Sequence, residues 1–165
     1  MCGIIGYAGH RLAIPCVVEG LRRLEYRGYD SAGVAFIDNN DITTVRAEGK
    51  LHALDEKLAN LPEITAHVGI GHTRWATHGI PVERNAHPHK SSDNQLVIVH
   101  NGIIENFEEL KNGLKAKGYT FSSETDTEVL ANLIAEGRKH APNILEAFAW
   151  ALRQANGAYA VAMLS

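Results

Sequence analysis

Four consecutive apolar residues, Leu96-Val97-Ile98-Val99, constrain this chain more than any other segment. A strand alternates its side chains between two faces, so an unbroken apolar run puts hydrophobic groups on both and has to be covered on both. The run therefore predicts a central strand in a layered domain. With 165 residues and 45% hydrophobic content, one domain can bury such a core without disulfide or metal staples.

The rest of the chain supplies material for the layers. A short apolar strand is expected at Cys2 to Gly6, and Ile14, Val17, Leu21 and Leu24 have the spacing of a buried helical stripe, with Pro15 in the first turn. Gly33 to Ile37 and Ile42 to Glu48 flank Asp38-Asn39-Asn40-Asp41 and read as a hairpin. Leu51 to Leu58 reads as a short helix, His67 to Arg74 and Leu96 to Asn101 as strands, and a long loop joins the last two. Phe107, Leu110 and Leu114 mark a helix that Gly118 can close, and Tyr119-Thr120-Phe121 is strand-like. Thr125 or Asp126 caps a helix striped by Val129, Leu130, Leu133 and Ile134; a further helix near Ile144, Phe148 and Leu152 precedes a last strand, Ala158 to Leu164. Strands and helices come in groups, which favours an α+β layered fold over βαβ alternation.

Composition excludes several classes of function. Formal net charge is −3 and the charged residues are scattered, so no basic stripe invites nucleic acid. No apolar run is long enough to span a bilayer, no cleavable signal pattern occurs, and the two cysteines, Cys2 and Cys16, form no CxxC pair. A reducing, cytoplasmic setting is expected, with Cys16 a small buried hydrophobe.

Cys2 is the residue with the most distinctive chemistry. Removal of Met1 would place a thiol and a free α-amine on one residue, and an amine with pKa near about 7.7–8.0 is a usable base at neutral pH. Nucleophile and base then need no third group, and Gly3 would leave room for a substrate carbonyl. Asn101-Gly102, at the end of the apolar strand, could supply a side-chain amide and a backbone N–H to an oxyanion; the alternative for an Asn-Gly pair is a tight turn. Arg74 could hold a carboxylate in a bidentate fork and Trp75 could close over a site, against a plain surface charge and a core anchor. Asp126 could pair with a ligand ammonium, cap a helix, or do both. His72, His78, His87, His89 and His100 invite a metal or small-ligand binding module, but no HExxH, no Cys pair and no acidic residue stands at a ligand offset, so no metal site is assigned.

Together these segments resemble the glutaminase domain of the glutamine–fructose-6-phosphate aminotransferases, within the class II amidotransferases. The resemblance rests on Met1-Cys2-Gly3-Ile4, Leu21 to Gly33, Gly71 to Gly79, Asn85-Ala86-His87-Pro88-His89, Val99 to Asn106 and Gly118 to Val129. Tyr29, Trp75-Ala76-Thr77-His78 and Ile103-Ile104-Glu105-Asn106 look closer to the sugar-phosphate enzymes than to amidophosphoribosyltransferase.

The resemblance implies an N-terminal nucleophile hydrolase fold, a four-layer α/β/β/α sandwich. It also implies roles: Cys2 as nucleophile, Asn101 and Gly102 as oxyanion hole, Arg27 as a supporting residue at the catalytic centre, Arg74, Thr77 and Asp126 on the glutamine backbone groups, Trp75 and His78 in a closing loop, and His87 at the substrate. The implied reaction is hydrolysis of L-glutamine through a γ-glutamyl thioester, without metal or organic cofactor, the ammonia serving glucosamine 6-phosphate formation in a sugar-isomerase domain. By the same resemblance, residues 1–165 are a type 2 glutaminase domain incomplete at its C-terminus, the isomerase domains are absent, and the full-length protein is a homodimer. Two alternatives stand beside this: a catalytically silent piece of the domain, because strands are missing or Met1 is retained, and the glutaminase domain of another class II amidotransferase.

Overall fold

A computed structural model of the chain describes residues 2–165; removal of Met1 falls outside the described residues. In chain order the elements are β1 (Gly3–Ala8), α1 (Ala13–Arg22), β2 (Ser31–Asp38), β3 (Asp41–Glu48), α2 (Leu51–Ala59), β4 (Val68–Arg74), β5 (His89–Lys90), β6 (Val97–Gly102), α3 (Phe107–Ala116), α4 (Asp126–Gly137), α5 (Ile144–Leu152) and β7 (Tyr159–Leu164). Single 3-10 turns occupy Glu25–Arg27 and Glu83–Asn85.

Two antiparallel sheets face each other, one ordered β1-β4-β2-β3 and the other β5-β6-β7. The apolar run explains the stacking. Leu96 and Ile98 pack with α3, α4 and α5, whereas Val97 and Val99 point the other way and meet Ala35, Ile70 and Leu164 between the sheets. On the far side Val17, Val18 and Leu21 of α1 and Leu51 and Leu54 of α2 bury the outer face of the first sheet against Ala32, Val34 and Phe36. The result is the expected four-layer α/β/β/α sandwich, with the α+β grouping read from the sequence.

Local choices agree with this layout. Asn39 and Asn40 hold φ of 51° and 66°, the doubly left-handed turn that matches strand twist in a two-residue hairpin. Thr125 caps α4 by accepting the Glu128 N–H at 3.3 Å, which leaves Asp126 free for another contact.

Four expectations need correction. Leu24 lies beyond α1, which ends at Arg22. Tyr119 to Phe121 is not a strand, because its polar groups are taken by α4: Tyr119 donates to Glu136 at 2.9 Å, and the Asn132 amide donates to the Thr120 carbonyl at 3.4 Å. The long loop carries a two-residue strand, β5, too short for any periodicity to reveal. Cys16 is half-exposed in a surface groove with Arg11 and Arg23 instead of buried.

Glu136 is the carboxylate that ties this region down. It is 4% exposed and accepts from Lys139 at 2.7 Å, Lys117 at 2.9 Å, Tyr119 at 2.9 Å and His140 at 3.2 Å. Burial alone would raise its pKa, but these donors outweigh burial and hold it down to about 2. A depressed folded pKa stabilises above the unfolded value, about 4.3, and that contribution is lost as pH falls toward 2. Glu136→Gln should cost about 1.5–3 kcal/mol at pH 7 and much less near pH 2, read from urea unfolding at both pH values.

Candidate active site

The register of β1 against β4 builds the site from residues that share one face. Ile4 pairs with His72 and lies between the sheets, so Cys2, two residues earlier, and Arg74, two residues later, lie on that face at the same end. There the Trp75 N–H donates to the Cys2 thiol at 3.2 Å, and the thiol lies 3.5 Å from the Trp75 carbonyl. Opposite them β6 ends in Asn101 and Gly102, still paired with Ala160 and Tyr159, so the Asn-Gly pair ends a strand and makes no tight turn. The first turn of α4 completes the wall with Asp126 and Thr127. Cys2, Arg74, Trp75, Thr77, His78, His87, His100, Gly102, Asp126 and Thr127 are among the residues lining a cleft of about 200 Å³.

Arg74 is 3% exposed and so is no surface charge. One of its terminal nitrogens, Nη2, donates to the His78 carbonyl and, at 3.1 Å, to that of Gly79; Nη1 is buried without a partner among the described residues. Burial pushes the guanidinium below its ordinary value, while Asp30, Cys2 and Asp126 pull it back. A buried cationic donor without a partner, at the wall of a cleft, is suited to a ligand carboxylate. Across the cleft Asp126 is 3% exposed and accepts the Ile104 N–H at 2.9 Å. His78 lies 4.0 Å from it, edge-on to Phe107 with ring centroids 4.8 Å apart. Opposite charges at the two ends match an α-amino acid.

Between them runs the segment Trp75 to Gly79. Asp30 anchors it at its start: its backbone N–H donates to the Arg74 carbonyl at 2.7 Å, and its carboxylate accepts the Ala76 N–H at 2.6 Å. Asn85 anchors the other end, donating to Ile80 at 3.0 Å and to Glu124 at 2.8 Å. Trp75 is 56% exposed, so it is no core anchor, and its ring lies against Gly28.

At the cleft wall and behind it, three buried histidines meet two threonine hydroxyls and a fourth meets Asn101. Thr127 Oγ1 lies 2.7 Å from His87 Nε2 and 2.9 Å from His100 Nδ1, Thr125 Oγ1 lies 3.1 Å from His89 Nε2, and His72 Nε2 lies 2.8 Å from Asn101 Oδ1. Gly33 makes this possible, since a Cβ there would lie 2.2 Å from the His87 carbonyl oxygen. Among the described residues no group of three or more His, Cys, Asp or Glu is disposed to hold a metal ion. Burial drives His72 down to about 4 and His87 and His89 well below their ordinary value. Their neutral forms are favoured in the folded state. Stability is therefore full above the unfolded pKa, about 6.5, and is lost as pH falls toward 4, by up to about 1.4 kcal/mol per pH unit for each histidine. Urea midpoints should drop steeply between pH 6.5 and 4.5; a flat profile there would contradict neutral burial.

The model of the glutamine amidotransferase domain family matches residues 59–163. The chain belongs to this family. Glutamine–fructose-6-phosphate aminotransferase [isomerizing] of Gloeobacter violaceus is 54% identical over 165 residues, and its counterpart in Pyrococcus horikoshii 52% identical over 164. These alignments cover 100% and 99% of the amidotransferase chain but 27% of each relative, so the chain spans about a quarter of their length. The structure of glutamine phosphoribosylpyrophosphate amidotransferase from B. subtilis superposes with TM-score 0.81 at 29% identity, covering 100% of this chain and 35% of that one. A second solved structure, an allosteric regulatory enzyme of purine biosynthesis, superposes with TM-score 0.83 at 29% identity over 99% of this chain and 35% of its own.

The amidotransferase cleft brings together Cys2, Arg74, Trp75, Thr77, His78, His87, Gly102 and Asp126, with Asn101 adjacent on β6. Arg27 is in the 3-10 turn after α1 and outside the cleft lining. Gly3 is occupied differently from the expectation: a Cβ there would meet Leu24 at 2.6 Å and Thr73 at 2.9 Å, so its small size serves packing. Asp30, Asn85 and His72 had no assigned role in the sequence, because only the strand pairing and the loop path bring them to their partners.

Proposed function

We propose that this chain hydrolyses the side-chain amide of L-glutamine to glutamate and ammonia, with Cys2 as nucleophile. The observation that carries the reading is the juxtaposition, in one cleft, of the Cys2 thiol, the unpartnered Nη1 of buried Arg74 and the buried Asp126 carboxylate. Arg74 would take the α-carboxylate of glutamine and Asp126 its α-ammonium, with Thr77 at the backbone groups and the side-chain amide directed to Cys2.

After Met1 is removed, the α-amine of Cys2 accepts the thiol proton and sulfur attacks the amide carbon. The oxyanion receives donors from the Asn101 side chain and the Gly102 backbone N–H. Collapse expels ammonia, to which the α-ammonium returns the proton, leaving a γ-glutamyl thioester. A water deprotonated by the same amine then attacks the thioester, releasing glutamate and restoring the thiol. Every participating group belongs to the chain, so the reading calls for no metal or organic cofactor. Trp75 and His78 lie on the segment that would close over glutamine, His87 forms part of the wall, and Arg27 supports the turn beside Trp75.

The ammonia would serve conversion of fructose 6-phosphate to glucosamine 6-phosphate, with a sugar-isomerase domain as partner and a reducing, cytoplasmic setting that keeps Cys2 a thiol. The 54% identity with an aminotransferase of that name, against 29% with the phosphoribosylpyrophosphate enzyme, supports this assignment over another amidotransferase. The test is an assay of both products from glutamine alone. Equal amounts of glutamate and ammonia are expected, and protein lacking Met1 that forms neither would overturn the reading.

A further inference from the structure

We infer that His72 is a positioning residue for Asn101, holding the side-chain amide so that its NH₂ group faces the cleft as an oxyanion donor. The inference rests on the glutaminase reading and adds a residue to it.

An oxyanion donor from an asparagine side chain has a weakness that a backbone N–H lacks. Rotation of the amide by half a turn exchanges its donor for an acceptor, and a carbonyl oxygen aimed at a developing negative charge would repel it. Something must therefore hold Oδ1 away from the reacting atoms. His72 is placed for this. It lies on β4, two residues before Arg74, on the face between the sheets, and Nε2 is 2.8 Å from Asn101 Oδ1.

To donate there the ring must carry a proton on Nε2. It is fully buried, tilted 30° to the His87 ring with centroids 4.2 Å apart, and burial keeps its pKa down to about 4, so it is neutral at working pH. Nδ1 is buried and has no hydrogen-bond partner among the described residues. A neutral ring has one N–H, and an orphaned buried N–H is costlier than an unused lone pair, so the unpartnered Nδ1 is the bare nitrogen and the proton is on Nε2. Thus Nε2–H meets Oδ1 and the Asn101 NH₂ remains for the substrate. The same geometry gives His72 no contact with the cleft, whose lining includes His87 and His100 but not His72.

A double-mutant cycle separates positioning from a merely structural effect. Asn101→Ala is expected to lower kcat about 10²–10³-fold, as loss of one oxyanion donor does. His72→Phe should lower kcat about 10–100-fold with KM within about threefold, and His72→Gln, which keeps an amide donor, should recover part of that loss. Added to Asn101→Ala, His72→Phe should cost less than about threefold more, because the group it positions is gone. Losses that multiply, or a raised KM with unchanged kcat, would overturn the inference while leaving the glutaminase reading intact. An unaffected Asn101→Ala would instead remove Asn101 from the oxyanion hole and His72 with it. Nitrogen-15 NMR of the unmutated protein tests the same point without turnover: Nε2 of His72 should resonate as protonated and Nδ1 as bare, and the reverse assignment would overturn the inference.

Discussion

Cys2→Ala is expected to keep the fold and to lose glutamine hydrolysis, by on the order of 10⁶ in kcat, the scale seen when a protease nucleophile is deleted. Cys2 is half-exposed just before β1, and its thiol hydrogen-bonds with the Trp75 backbone, so removing the sulfur should cost little packing. Retention of Met1 should have a comparable effect on activity with the thiol intact, because the base becomes an amide nitrogen that cannot take a proton near neutral pH. Cys16→Ala is the matching control, since its side chain lines a different groove beside Arg11 and Arg23. Equal turnover in Cys2→Ala and the parent protein would remove the nucleophile from the account.

Gly102→Ala should damage fold and chemistry together. The residue holds φ of +119°, a conformation that L side chains rarely adopt, and a Cβ there would lie 2.3 Å from the Ala158 carbonyl oxygen and 2.8 Å from Tyr159 Cα. Those neighbours are backbone, so the end of β6 has to move away from β7. Strain of this kind costs about 1–3 kcal/mol. The same shift would carry the Gly102 N–H off the oxyanion, for which a loss of about 10²–10³ in kcat is expected. Gly113→Ala on the exposed side of α3 provides the contrast: nothing lies within 4 Å of the new methyl, and a helical glycine replaced by alanine should gain about 0.5–1 kcal/mol. Urea midpoints and kcat of the two variants decide it. A Gly102→Ala protein as stable and active as the Gly113→Ala protein would contradict the strained strand end.

Much of the architecture was legible because it rests on local periodicity. Val17 and Leu21 of α1, Val129 to Ile134 of α4 and the Asn39-Asn40 hairpin all sit where spacing and turn chemistry place them. The doubly apolar Leu96–Val99 run lies between two cores, as a strand with no polar face must. Elements defined by non-local partners were not legible. The β5 strand consists of two residues recognised only by pairing with β6, and Tyr119–Phe121 has strand-like residues whose hydrogen bonds go to α4.

The same division runs through the cleft. Cys2, Arg74, Asn101, Gly102 and Asp126 are suggestive as residue types at element ends. Most of the alternatives considered for them fail on burial and pairing: Arg74 is buried, Asn101-Gly102 ends a strand, and Thr125 is the cap, although Asp126 still sits in the first turn of α4. The roles of Asp30 and His72 depend on partners 46 and 29 residues away, Ala76 and Asn101, which no spacing rule connects.

The central claim is a glutamine pocket with a live thiol at Cys2, and intact-mass measurement before and after exposure to 6-diazo-5-oxo-norleucine, a reactive glutamine analogue, tests it most directly. The account predicts a species lacking Met1 that gains one adduct, located on Cys2 by peptide mapping and prevented by excess glutamine. A Met1-free protein that stays unmodified, or one labelled at Cys16 regardless of glutamine, would contradict it.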